Sequence, residues 1–121
     1  MTLNEIAQEL VKGCREGRAK ANLQMLYAPD AVSVEAMDMG SGTTVTGIPA
    51  IMGKHDWWEN AMTVHSQTVG GPFMHGDDRF AVTFDLDFTD KESAKRNHMS
   101  EVAIYHVAGG KIVREEFFYA T

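Results

Sequence analysis

Two hydrophobic periods divide this chain near residue 63. Upstream, apolar residues recur at helical spacing; downstream they alternate in period two to the end. Leu3, Ile6, Ala7, Leu10, Val11 and Cys14 predict a first amphipathic helix. Thr2 and Glu5 suit a capping box before it, and Gly17 suits a stop after it. Ala19, Leu23, Leu26 and Tyr27 form the stripe of a short second helix. Ala28-Pro29-Asp30 ends it, because proline cannot extend a helix and restricts the residue before it. Ala31 to Met37 alternates as a strand, and the glycine- and serine-rich Asp38 to Thr44 reads as a loop or ragged edge hairpin. Gly47-Ile48-Pro49 opens a third helix, with Ile48, Ile51, Met52, His55, Trp58 and Met62 on one face.

After the switch, Val64 to His75 predicts a strand that is interrupted or bent at Gly70-Gly71-Pro72. Arg79 to Thr89 predicts a regular one, with Phe80, Val82, Phe84, Leu86 and Phe88 on one face. Asp85 and Asp87 then face solvent, or join the site if the phenylalanines do not point inward. Asp90 to Arg96 is a polar turn. His98 to Tyr119 closes the chain as one β-hairpin around Ala108-Gly109-Gly110. With a three-residue loop, odd positions on one strand share a face with odd positions on the other. That face carries Glu101, Ala103 and Tyr105 opposite Val113, Glu115, Phe117 and Tyr119, in cross-strand or diagonal reach. Two carboxylates thus stand on an apolar face, where acids are either ion-paired or chemically useful.

The element order α-α-β-α-β-β-β-β is that of a single α+β domain over residues 1–121, in which a curved antiparallel sheet wrapped on three helices leaves a pocket between them. Composition narrows the partners. A net charge of −6 argues against a nucleic-acid phosphate partner. No apolar run is long enough to span a bilayer, and the N-terminus lacks the features of a signal peptide. The single cysteine, Cys14, forbids an intrachain disulfide and favours a reducing, cytoplasmic setting. No common nucleotide, metalloprotease or nucleophile-elbow motif occurs, and the five histidines show no convincing ligand spacing. The expectation is therefore no metal and no cofactor.

Four stretches carry a family resemblance. They are Tyr27-Ala28-Pro29-Asp30-Ala31, Val32-Ser33-Val34-Glu35, Thr46-Gly47-Ile48-Pro49-Ala50-Ile51 and Gly110-Lys111-Ile112-Val113-Arg114-Glu115. Through them the chain resembles the SnoaL-like polyketide cyclases and ketosteroid isomerase-related proteins of the nuclear transport factor 2-like superfamily. The resemblance implies a conical α+β barrel (cystatin-like) of strongly curved, mostly antiparallel sheet around N-terminal helices. It implies a homodimer through the outer sheet face and a cofactor-free pocket for a small hydrophobic molecule. Isomerase relatives keep a general-base aspartate at the end of the first strand. Here Ala36 falls at that position, with Glu35 and Asp38 the nearest carboxylates. Those relatives also carry a tyrosine on the first helix, where this chain has none, and Ala103 falls near their second aspartate.

The site expected from these readings has Glu115 or Glu101 as base and Tyr119 as hydrogen-bond donor, with Tyr105 able to share that role. Trp57, Trp58, Tyr105, Phe117, Val113, His55 and Phe73 are the expected substrate-binding residues. Each has a plainer reading as core, surface or interface. The expected function is an isomerase-, cyclase- or dehydratase-type enzyme acting on a hydrophobic carbonyl compound. The alternative is a non-catalytic binding or dimerisation module of the same fold.

Overall fold

The computed structural model describes residues 1–38 and 40–120; Met39, inside the predicted 38–44 loop, and Thr121 lie outside the described residues. Among the described residues, three helices and six strands follow in the order α1 (Leu3–Arg15), α2 (Ala19–Leu26), β1 (Tyr27–Val34), β2 (Thr44–Thr46), α3 (Ile48–Ala61), β3 (Met62–His75), β4 (Arg79–Asp90), β5 (Arg96–Ala108) and β6 (Lys111–Tyr119). One sheet of order β2-β1-β6-β5-β4-β3 carries all six strands. It is open, with β2 and β3 at its edges, and α3 runs from the end of one edge strand to the start of the other. Among the described residues no helix is long and apolar enough to cross a membrane.

The helices form where the apolar stripes demand them. The Thr2 hydroxyl accepts from the Glu5 amide at 3.1 Å while the Glu5 carboxylate accepts from the Thr2 amide at 2.9 Å. Gly17 follows α1 with φ +74°, a conformation that costs glycine little. Ile6, Ala7, Leu10 and Val11 of α1 join Leu23 and Leu26 of α2 against Phe80, Val82, Ala103, Tyr105 and Ile112 of the sheet. At about 25 cal/mol per Å² of apolar surface, this burial is the main force holding helices to sheet. Arg15 ties α1 to β3 through two bonds to the Val69 carbonyl, at 2.7 and 3.2 Å.

Three features differ from the sequence-based expectation. First, β1 begins at Tyr27, so Ala28-Pro29-Asp30 is extended chain within the strand. Proline is tolerated there because β1 changes register between Tyr27 and Val32 and leaves Pro29 out of the ladder. Second, β1 pairs with β6 in parallel, so the sheet is antiparallel everywhere except at that junction. Third, the closing hairpin has a two-residue turn, Gly109-Gly110 with φ of +59° and +74°, and Ala108 faces Lys111. A bulge then intervenes: Val107 faces Ile112, whereas His106 faces Arg114. Val113 is the extra residue of this bulge, and Ile112 takes the core position beside it. The bulge restores the odd-with-odd pairing that a three-residue loop would have produced.

Along β4, Phe80, Val82, Leu86 and Phe88 are buried and Phe84 is half-buried. Asp85 and Asp87 point the other way, where they pair with His98 and Arg96.

Candidate active site

The inner face of the sheet is a ladder of rows read across three strands. Phe80, Tyr105 and Glu115 form the deepest row, Val82, Ala103 and Phe117 the next, and Phe84, Glu101 and Tyr119 the third. The two glutamates therefore do share a face, but four residues separate their levels. That is about 13 Å along a strand, beyond diagonal contact. The expectation of cross-strand or diagonal reach is corrected accordingly, and the two acids occupy different environments.

Glu115 is only 3% exposed. Ser33, its neighbour in the parallel β1–β6 pairing, donates to Oε2 at 2.6 Å. The Tyr27 hydroxyl donates to Oε1 from the start of β1. Both carboxyl oxygens are thus occupied from within the protein. Burial drives the Glu115 pKa above the ordinary carboxylate value, against the opposing pull of the Ser33 and Tyr27 hydrogen bonds and the Lys54 charge. Burial and the Glu115 carboxylate together push the Tyr27 and Tyr105 phenols well above 10. Burial also lifts the nearby Cys14 thiol to about 11, which leaves it unreactive.

Glu101, two rows further out, is half-buried and has no hydrogen-bond partner among the described residues. No deeply buried polar side-chain atom in that set lacks a partner, so the Glu101 carboxyl reaches solvent. Burial, followed by the negative charge of Glu35, raises its pKa from 4.5 to about 7; the Lys54 charge opposes the rise.

Between the two levels lies a second polar group. Lys54 of α3 pairs with Glu35 Oε1 at 2.6 Å and donates to Ser33 Oγ at 2.7 Å. Its ammonium also stands over the Phe117 ring, 5.1 Å from the centroid. The Tyr119 hydroxyl donates to Glu35 Oε2 at 3.0 Å. Burial first, then Glu35, pushes the Tyr119 phenol up to about 12. Glu35, Lys54, Tyr119 and Phe117 thus form one connected cluster beside Glu101, and Ser33 links it to buried Glu115.

The structure gathers part of the expected set. Glu101, Tyr119, Phe117 and Tyr105 line the same inner face, with Glu115 directly opposite Tyr105 in the deepest row. Trp58 continues the lining away from Glu101 and packs on Phe88, with ring centroids 5.0 Å apart. His55 is half-buried beside Lys54, and burial holds its pKa below the ordinary value. Three residues fall elsewhere. Phe73 faces Ala81 and, through it, Ile104 on the outer side of the sheet, where it is 55% exposed. Trp57 is 51% exposed on the solvent side of α3. Val113 is diverted by the bulge.

Lys54, Ser33 and Tyr27 were missed by sequence reasoning. Lys54 lies three residues after Ile51 and four before Trp58, so helical spacing alone places it on the inward face. Ser33 and Glu35 follow Ala31 in simple alternation, which likewise aims both inward.

Helices laid across the concave side of one curled α+β sheet, with acids on its inner face, define a class of small single-domain proteins. The family model for the SnoaL-like domain matches residues 1–119, and the chain belongs to that family. A protein of Mesorhizobium loti described as a SnoaL-like polyketide cyclase is 36% identical, with a TM-score of 0.91 over 98% of this chain and 100% of its own. A nuclear transport factor 2-like protein of Burkholderia thailandensis shares the fold at 16% identity, with a TM-score of 0.83 over 99% of this chain and 92% of its own. A ketosteroid isomerase-like fold from Catenulispora acidiphila, solved with trimethylamine, matches at 18% identity and a TM-score of 0.66, over 92% of this chain and 79% of its own. Among curated proteins none matches.

Proposed function

We propose that this protein is a cofactor-free enzyme of the isomerase, cyclase or dehydratase type, moving a proton on a small hydrophobic carbonyl compound with Glu101 as general acid–base. The observation that carries this reading is the state of Glu101. Its carboxyl has no hydrogen-bond partner among the described residues, reaches solvent, is set between Phe84 and Tyr119, and is lifted by burial to a pKa of about 7. A base titrating near neutral pH is suited to taking a proton α to a carbonyl and returning it elsewhere. Tyr119, at the same level, is the proposed hydroxyl donor to the substrate once a ligand competes for its bond to Glu35. Glu115 is assigned a supporting role, since both its oxygens are already engaged. The 36% identity to a protein described as a SnoaL-like polyketide cyclase supports the cyclase-type reading.

The test is α-proton exchange into D₂O, followed by NMR on a panel of cyclic ketones and lactones. Glu101→Gln should slow exchange at least about 100-fold, the usual contribution of a positioned acid–base group. Unchanged exchange in Glu101→Gln would overturn the assignment.

We further propose a cytoplasmic homodimer formed through the outer sheet face. Phe73, Val102 and Phe118 stand exposed there, around a groove of about 380 Å³ lined by Phe73, Arg79, Ala81, Ile104, His106 and Glu116. Sedimentation of Phe118→Asp should show a monomer where the parent protein sediments as a dimer; a monomeric parent protein would refute it. The same apolar face favours the second reading, a dimerisation module without chemistry, for which loss of Glu101 would leave every measured property of the assembly intact.

A further inference from the structure

We infer that Lys54 is a second catalytic group of this site, whose ammonium holds the oxyanion formed on the substrate carbonyl while Glu101 takes the proton. This rests on the proton-transfer reading above and adds a cationic electrophile to the neutral donor, Tyr119, proposed there. The argument is a count of donors. A lysine ammonium carries three N–H groups. One is committed to Glu35 at 2.6 Å and one to Ser33 at 2.7 Å. The third has no partner among the described residues, and the ammonium lies against the face of Phe117 in the row below Glu101 and Tyr119.

The two committed bonds position the group. Glu35 is itself fixed by the Tyr119 hydroxyl, and Ser33 by its bond to buried Glu115. The nitrogen is therefore held by two elements at once, β1 and its own α3, before any ligand arrives. Such a preorganised donor costs little reorganisation when charge develops on an oxygen. Glu115, which touches no substrate, acts here as a positioning residue through Ser33.

The step balances within the site. The Glu101 carboxylate takes the α-proton, and the C–H electron pair becomes the carbon–carbon double bond of an enolate. The carbonyl π pair moves onto oxygen, which accepts the free N–H of Lys54; lysine keeps its proton. Glu101 then returns its proton to carbon, the carbonyl re-forms and no co-reactant is consumed.

4-Nitrophenol is the probe, because its phenolate is a planar oxyanion with its own visible absorption. Titrated with the intact protein from about pH 5 to about pH 9, the bound probe should ionise at lower pH than the free one. Lys54→Met should abolish that displacement and weaken phenolate binding at least about tenfold, as loss of a charge-assisted hydrogen bond implies. Lys54→Arg should retain both, which separates loss of the cation from loss of fold. Glu101→Gln should keep the displacement while losing α-proton exchange, so the base assignment and the lysine assignment can fail separately. A probe that does not bind, that ionises when bound as it does when free, or that is displaced equally in Lys54→Met would overturn the inference.

Discussion

Glu101 and Glu115 share a strand pair, a face and a side chain, yet the protein treats them oppositely. Glu115 sits at the closed end, where Tyr27 and Ser33 use both its oxygens and the sheet excludes water. Glu101 sits two rows away, half-buried, with no hydrogen-bond partner among the described residues and with its carboxyl reaching solvent. Burial raises the pKa of both. In the proposed mechanism it is the proton affinity of Glu101 that is used on a ligand. A raised carboxyl pKa therefore does not mark a base by itself; the partner list decides between a structural acid and a chemical one.

Substitution can break this contrast, with the largest effect at the closed end. Glu115→Ala should lower stability by about 3 kcal/mol, since it opens a cavity and strands two buried hydroxyls. Denaturant unfolding at neutral pH measures it, and a loss no larger than at an exposed site would show that the network is dispensable.

Glu101→Gln should do the reverse, and its effect should depend on pH. A folded-state pKa of about 7 against an unfolded 4.5 means the native protein keeps a proton that the unfolded chain has released. Stability due to this group is then present at low pH and falls as pH rises from about 4.5 to about 7. At about 1.36 kcal/mol for each pH unit between the two values, the full cost is about 3 kcal/mol at most. Glu101→Gln should match the parent protein near pH 4 and exceed it in stability above pH 7. Parallel unfolding curves at the two pH values would reveal a constant difference if the account is wrong.

The tyrosines offer the finest comparison. Tyr27→Phe removes a buried donor from Glu115 and should cost about 1–2 kcal/mol. Tyr119→Phe removes a donor from half-exposed Glu35 and should cost under about 1 kcal/mol, because water can replace it. Equal losses would mean that the two ends are equally enclosed.

Much of this fold was legible in the sequence, because the change from helical to alternating period near residue 63 is a physical signal. The alternation of β4 correctly separates buried Phe80, Val82 and Phe88 from solvent-facing Asp85 and Asp87. The capping box of α1 was equally plain. The start of β1 was not, since Pro29 reads locally as a helix terminator, and only pairing with β6 shows that Tyr27 is already extended. The turn was read one residue too long, yet the bulge at His106–Val107 restored the face.

The site was half legible. Alternation put both glutamates inside, but their difference depends on Tyr27 and Ser33, which lie 88 and 82 residues from Glu115 along the chain. Lys54 escaped because a charged residue on a helix is ordinarily assigned to solvent. Its Glu35 and Ser33 partners, brought close only by folding, explain why it turns inward.

Side-chain carboxyl NMR across pH tests the central claim most directly. With ¹³C-labelled glutamate and Glu101→Gln to assign the resonance, the Glu101 carboxyl should titrate with a midpoint near 7. A midpoint near 4.5, like that of any solvated glutamate, would contradict the account.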